Sequence, residues 1–249
     1  MPDSDARTGR STAATVEELA ERLSALGTPA RAEGSKKYLK SSRQFYGTTM
    51  PDLRRTVRAW LKDIDPSPDR GLLLSLAGDV WQQDQFEMCM AAVEILRFKP
   101  KLLQPEDLSD VEDMVRKSLT WALVDPLAID VAGTVAADYP ADTGQILDRW
   151  AGDADFWVRR TALLSQLKIV KPETGDARRF LRYADEMLDE KEFFIRKAIG
   201  WVLREMSRNR PGLVVEWMLP RAKRASGVTM REVVRHLPED QRAALLAAR

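Results

Sequence analysis

The stretch FFIRKAIGWVLRE at residues 193–205 decides the fold of this chain. A weaker copy, FWVRRTALL at residues 156–164, precedes it by 37 residues. Large aromatic residues continue the series in steps of 35, 36 and 37 residues, at Phe86, Trp121, Trp157 and Phe194. Self-similarity at such a period predicts stacked helical repeats, because each repeat needs its neighbour to cover its apolar face.

Hydrophobic periodicity predicts an all-α chain. Apolar residues recur at three- and four-residue intervals at 16–23, 53–61 and 86–96, and no alternating strand pattern competes with them. Proline-containing turn signals follow at 65–69, 99–100, 139–140, 171–172 and 210–212. We therefore predict an α-solenoid of about six HEAT-like helical repeats, forming a curved single domain at 15–249 with a concave groove, after a disordered N-terminal tail at 1–14.

Composition predicts a soluble, cytoplasmic protein. The 249 residues are 44% hydrophobic and 31% charged, which is typical of a globular chain with an ample core. The polar first residues lack the apolar region of a signal peptide, and no apolar run approaches the roughly 20 residues that span a bilayer. The single Cys89 cannot form an internal disulfide, which suits a reducing cytosol. We expect no membrane partner.

The charges are unevenly distributed, although the net charge is only +1. Residues 61–116 hold six Lys or Arg against twelve Asp or Glu, whereas residues 204–235 hold eight against three. Such segregation allows one surface to attract phosphates. The charged outer faces of any solenoid give a similar count, so a protein-binding solenoid stays open as an alternative.

One predicted helical stripe combines two cations with a flat ring. Lys197, Trp201 and Arg204 are separated by four and three residues and therefore share one side of a helix. A groove lined with such stripes would suit a nucleic-acid backbone. The competing interpretation is that Trp201, like Trp121 and Trp157, belongs to the apolar core.

Candidates for catalysis are few. His236 and Cys89 are the only residues of their types, so a Ser-His-Asp triad, a Cys-His pair and a zinc site all lack support. We expect His236 at the surface. Glycine-rich phosphate-binding motifs are also missing from the sequence. We therefore predict no cofactor and no metal, and carboxylates and aromatic residues remain as the chemical candidates.

The stretch KSLTWALVDP at residues 117–126 offers a candidate carboxylate. Trp121 and Asp125 stand four residues apart and would share a face if they lie on one helix. Pro126 supports an alternative, in which Asp125 is the N-cap of a new helix and the proline occupies its first turn. Taken alone, these residues favour the cap.

The chain resembles the AlkD-type HEAT-repeat DNA alkylpurine glycosylases. The residues that carry the likeness are 192–206, 156–168, KYLK at 37–40 and FYG at 45–47. The likeness extends from about residue 36 to the low 230s. It is most specific at 193–205 and poor across 61–116.

This resemblance implies a set of site residues. The family's W-x-x-x-D spacing falls on Trp121, as the first cleft tryptophan, and Asp125, as the catalytic aspartate. The second cleft tryptophan falls on Trp201. The predicted DNA-binding residues are Tyr38, Arg160 and Arg204, to which the helical stripe adds Lys197. Two positions depart from the family pattern: Thr120, where a second tryptophan is common, and Pro126.

The implied activity is hydrolysis of the N-glycosidic bond of cationic N3- or N7-alkylated purines in double-stranded DNA, in base excision repair and without base flipping. Asp125 would stabilise the oxocarbenium-like sugar and orient water, while Trp121 and Trp201 would hold the sugar. We expect a monomer that is nucleoid-associated when it is bound to DNA. The alternatives are a non-catalytic HEAT protein that binds DNA structures and a self-resistance glycosylase for bulky alkyl adducts.

Overall fold

The computed structural model describes residues 12–249, which form helices and connecting turns without a β-strand in that range. The predicted all-α repeat fold is confirmed. The predicted tail at 1–14 lies outside the described residues, except that the first helix begins at Thr12. The chain divides after Leu102 into two compact units, each described below by itself. The extent of the 15–249 domain, its curvature and its groove stay predictions.

Sixteen α-helices account for most of the described residues. In the first unit they are α1 Thr12–Ser24, α2 Pro29–Leu39, α3 Met50–Ile64, α4 Arg70–Trp81 and α5 Phe86–Leu96. In the second unit they are α6 Leu108–Ser118, α7 Trp121–Pro126, α8 Gly133–Asp138, α9 Gly144–Ala151, α10 Phe156–Leu164, α11 Leu167–Val170, α12 Arg178–Glu186, α13 Phe193–Ser207, α14 Pro211–Met218, α15 Gly227–Val233 and α16 Glu239–Ala247. A π-helical segment, Leu127–Ala132, joins α7 to α8. Over residues 12–249, no helix combines the length and the apolar character needed to cross a membrane.

The aromatic residues of the repeat series mark the starts of helices. Phe86 and Trp121 are the first residues of α5 and α7, and Trp157 and Phe194 are the second residues of α10 and α13. The steps of 35 to 37 residues in the sequence therefore measure the distance from one repeat helix to the equivalent helix of the next repeat.

Polar contacts in the second unit join residues that lie one repeat apart. Several hydrogen-bonded pairs have sequence separations of 35 to 37 residues: Glu112 with Arg149, Arg116 with Asp153, Asp148 with Tyr183, Asp185 with Arg221, and Asp189 with Arg224. Such regularity is expected when equivalent helices of successive repeats stack side by side. It supports the helical-repeat fold independently of the aromatic residues.

The core of the first unit uses the spacing that the sequence predicted for α3. Leu53, Val57, Trp60 and Leu61 are buried, and their intervals of four, three and one residues place them on one face of the helix. The indole N–H of Trp60 donates to the carbonyl oxygen of Thr15 in α1 at 3.1 Å. This hydrogen bond satisfies the only polar group of a fully buried ring and ties α1 to α3.

Helices α13 and α15 approach each other closely in the second unit. A Cβ atom on Gly200 would lie only 2.7 Å from Cβ of Glu232 and 3.0 Å from the carbonyl oxygen of Thr229. The hydroxyl of Thr229 donates to the carbonyl oxygen of Arg196 at 3.1 Å. Because Gly200 has no side chain, α15 can pack closely against α13 beside Lys197, Trp201 and Arg204.

Candidate functional site

Trp121 and Asp125 lie on the same helix, α7, and Asp125 is not a cap. Helix α6 ends at Ser118, and the N-cap of α7 is Thr120, whose hydroxyl accepts the N–H of Ala122 at 3.4 Å. Asp125 follows Trp121 by one helical turn. The alternative in which Asp125 begins a helix is therefore wrong, because the chain is already helical before it. Thr120, a departure from the family pattern, serves to start this helix.

Pro126 lies inside a continuous helical run. A proline in a helix interior removes one hydrogen bond, and its ring presses on the carbonyl group four residues earlier. The wider π-helical segment follows at once, and the N–H of Leu127 binds the carbonyl oxygens of Leu123 and Val124. π-Helical turns of this kind occur frequently at functional sites. Pro126 thus leaves Asp125 on the same helix as Trp121.

Asp125 forms a two-pronged ion pair with Arg160 of α10. Nε of Arg160 donates to Oδ1 at 2.8 Å, and Nη2 donates to Oδ2 at 2.9 Å. Both residues are buried, with exposed fractions of 9% for Asp125 and 2% for Arg160. The planar guanidinium fixes both position and orientation of the carboxylate. The carboxylate oxygens keep lone pairs for further partners, because each oxygen accepts more than one hydrogen bond.

Arg160 also binds the helix of the next repeat. Its Nη1 donates to the carbonyl oxygen of Phe194 in α13 at 2.5 Å, and its guanidinium carbon lies 5.7 Å from the centre of the Phe194 ring. The sequence predicted that Arg160 contacts DNA. In the structure it lies on the buried side of α10 with these N–H groups engaged, which places it behind the carboxylate rather than on an open surface.

The candidate tryptophans Trp121, Trp157 and Trp201 differ in burial. Trp157 is 7% exposed and packs against Phe194, with ring centres 4.7 Å apart, so the core interpretation fits this residue. Trp121 and Trp201 are half-buried, which leaves part of each indole accessible. The two tryptophans predicted to hold the sugar therefore retain exposed surface, whereas Trp157 is buried.

The stripe of Lys197, Trp201 and Arg204 is present on α13, and a carboxylate from α15 joins its two cations. All three stripe residues are half-buried. Nζ of Lys197 donates to Oε1 of Glu232, and Nη1 of Arg204 donates to Oε2 of the same residue. Burial raises the pKa of Glu232, but the hydrogen bond from Lys197 and the charge of Arg204 outweigh that effect and hold the pKa below its ordinary value.

The contacts described above do not include Tyr38 or His236. Tyr38 belongs to the first unit, near the end of α2, and is 73% exposed, so its contact with DNA stays a prediction. His236 is at the surface as expected, with Nε2 2.8 Å from Nη2 of Arg208. Within residues 12–249, no three His, Cys, Asp or Glu side chains converge in a way that could hold a metal ion.

Sequence analysis did not identify two features of the site, the pairing of Arg160 with Asp125 and the position of Glu232. Arg160 lies on a helix that is buried on nearly every side, so its spacing from the apolar residues does not distinguish an inward-pointing from an outward-pointing arginine. The role of Glu232 depends on how closely α15 approaches α13 at Gly200. The one signal for the Asp125–Arg160 pair is its separation of 35 residues, which is one repeat.

Leu119, which precedes the cap of α7, has a left-handed backbone conformation with φ 53° and is 61% exposed. This conformation costs a leucine about 1–2 kcal/mol, whereas asparagine tolerates it. We expect Leu119→Asn to raise the melting temperature by about 2–4 °C, the shift that about 1 kcal/mol produces in a chain of this size. Thermal unfolding followed by circular dichroism measures it. Leu246→Asn, at a 47% exposed helical position, is the control and should not raise the melting temperature. The same melting temperature in the two variants would contradict the prediction.

The all-helical repeat fold places this chain in the AlkD-like class of helical-repeat proteins. The chain belongs to the DNA alkylation repair enzyme family, whose model matches residues 19–237. It is thus an enzyme of DNA repair, and the resemblance seen in the sequence is confirmed. No curated protein matches it.

Two solved structures are similar in fold. A predicted DNA alkylation repair enzyme from Enterococcus faecalis is 24% identical with a TM-score of 0.76, over 86% of this chain and 97% of that chain. AlkD2 from Streptococcus mutans is 19% identical with a TM-score of 0.64, over 91% of this chain and 99% of that chain.

Proposed function

We propose that this protein is a monofunctional DNA glycosylase that hydrolyses the N-glycosidic bond of cationic N3- or N7-alkylated purines in double-stranded DNA. The observation that carries the proposal is the Asp125 carboxylate, which Arg160 orients with two hydrogen bonds, one helical turn after the half-exposed Trp121. Membership of the DNA alkylation repair enzyme family supports the choice of substrate.

The proposed reaction needs no acid to protonate the leaving group. Alkylation at N3 or N7 gives the purine a positive charge, so the C1′–N9 bond breaks with its electron pair moving to the base, which leaves neutral. Positive charge then develops on the deoxyribose, and a preorganised carboxylate such as Asp125 stabilises it. Water adds to C1′, and its proton passes to the carboxylate or to solvent. The products are the free base and an abasic site.

The two half-exposed tryptophans suit a cationic nucleoside. The face of an indole ring carries negative electrostatic potential and attracts a cation by about 0.5–2 kcal/mol, with the larger value when water is excluded. We propose that Trp121 and Trp201 hold the sugar and that Lys197, Arg204 and Tyr38 contact the DNA backbone. Backbone contacts of this type give affinity without sequence preference, as repair of damage at any sequence requires.

The test is chromatography of bases released from methylated duplex DNA. We expect N3-methyladenine and N7-methylguanine to be released faster than in a reaction without protein, with the DNA strands left uncut. A duplex carrying a bulky N7 adduct tests the self-resistance alternative in the same assay. Tight, salt-sensitive binding of the duplex with no base release above the spontaneous rate would contradict the proposal and favour a non-catalytic DNA-binding protein.

A further inference from the structure

Glu232 of α15 binds both cations of the Lys197–Trp201–Arg204 stripe on α13. One of its carboxylate oxygens binds Lys197 and the other binds Arg204, which lie on either side of Trp201 on the helix. The positive charge of Arg235 also acts on Glu232. Two of the cations proposed to bind DNA phosphates are therefore already bound to an anion within the protein.

The position of Glu232 is fixed by its surroundings. The residue is 8% exposed, and its Cβ lies where a Cβ on Gly200 would be only 2.7 Å away. The hydrogen bond from Thr229 to Arg196 also holds α15 against α13. The close packing of the two helices therefore keeps the Glu232 side chain beside the two cations, although Lys197 keeps 39% of its side chain exposed.

The net charge of this group affects how strongly it can bind DNA phosphates. Lys197, Arg204 and Arg208 carry three positive charges. Glu232 removes one of them, and Glu205, which lies 3.3 Å from both Arg204 and Arg208, removes another, so the group presents a net charge of +1. We propose that Glu232 is an internal competitor for phosphate that limits the Lys197–Arg204 pair to about one phosphate contact and so weakens binding to the DNA backbone. This inference rests on the proposed function, because it assumes that the α13 surface faces DNA.

Weak binding to undamaged DNA is useful to an enzyme that must find rare lesions. Backbone contacts provide nearly all of non-specific affinity, and undamaged sites outnumber damaged ones by orders of magnitude. An internal carboxylate lowers the affinity for every backbone site by the same factor, so the protein spends less time on each undamaged site. The lesion-specific contacts proposed for Asp125 and the tryptophans are unaffected, so the ratio of damaged to undamaged binding stays the same while the search becomes faster.

The experiment measures binding of the full chain to an undamaged duplex over a range of salt concentrations. We expect Glu232→Gln to bind about 5- to 10-fold more tightly at 0.1 M salt and to steepen the slope of log K against log salt by about 0.9, the contribution of one more phosphate contact. Asp189→Asn is the matched control. It makes the same change in net charge, at an exposed carboxylate that binds Arg224, and its slope should equal that of the wild type.

A second variant removes both partners of the Lys197–Glu232 ion pair, which keeps the inference testable if the unpaired Lys197 destabilises Glu232→Gln. Lys197→Gln combined with Glu232→Gln restores a local charge of +1 without the carboxylate, and we expect it to show the wild-type salt slope. An unchanged slope in Glu232→Gln, or a slope shallower by about 0.9 in the double variant, would overturn the inference. A wild type that binds no duplex at low salt would instead count against the proposed function.

Discussion

Replacing Asp125 with asparagine should lower the rate of base release on the order of 10²–10³-fold, because the amide carries no charge to stabilise the developing oxocarbenium ion. Asparagine has the same shape and retains one oxygen that can accept from Arg160, so the duplex affinity should change little. Single-turnover base release from methylated duplex DNA measures the effect, and binding of undamaged duplex provides the comparison.

Asp138→Asn is the matched control for this substitution. Asp138 is exposed at the end of α8, in the same helical run that begins with α7. Its loss of charge should leave the rate within about twofold of the wild type, as is usual for surface substitutions. Equal rates for Asp125→Asn and wild type would remove Asp125 from the mechanism.

Replacing Arg160 with alanine should lower the free energy of unfolding by about 3–5 kcal/mol, the cost of leaving one partner of a buried ion pair without the other. The change also removes the hydrogen bond to the Phe194 carbonyl oxygen. In a chain of this length the loss corresponds to roughly 6–20 °C in melting temperature. Urea unfolding followed by circular dichroism measures it.

A double substitution separates the structural and chemical roles of this pair. Asp125→Leu combined with Arg160→Met replaces the ion pair with apolar side chains of similar volume, a change that is often neutral for stability. We expect the double variant to recover most of the stability lost in Arg160→Ala and to release no base. A loss below about 1 kcal/mol in Arg160→Ala would show that the pair is not buried as described.

The repeat fold could be predicted from the sequence because its signals are local and recur. Each aromatic residue of the series lies at the start of a helix. The turn signal at 65–69 separates α3 from α4, and the signal at 210–212 marks the start of α14. Only the family resemblance indicated Asp125 as the candidate catalytic acid. Pro126 misled the residue-level prediction, because a proline after an aspartate usually marks a helix start. In the structure it is the last residue of α7, and the π-helical segment continues the helical run from it.

The partners of the charged residues could not be predicted in the same way. Whether an arginine points inward or outward depends on the packing of three helices, so Arg160 was assigned to DNA although it binds Asp125. The neutralising carboxylate, Glu232, becomes a neighbour of Lys197 only through the close approach of α15 at Gly200. Long-range pairs of this kind follow from tertiary structure, and a single sequence contains no direct record of them.

Arg160 stands on α10 and takes its partners from α7 and α13, so three consecutive repeats contribute to the orientation of one acid. Repeat arrays usually lose stability in gradual steps as terminal units fray, because each unit contacts only its neighbours. The proposed catalytic site would not be lost in such steps. We expect that detachment of α7 or α13 removes one partner of Arg160, so the carboxylate loses its fixed orientation while most of the array is still folded.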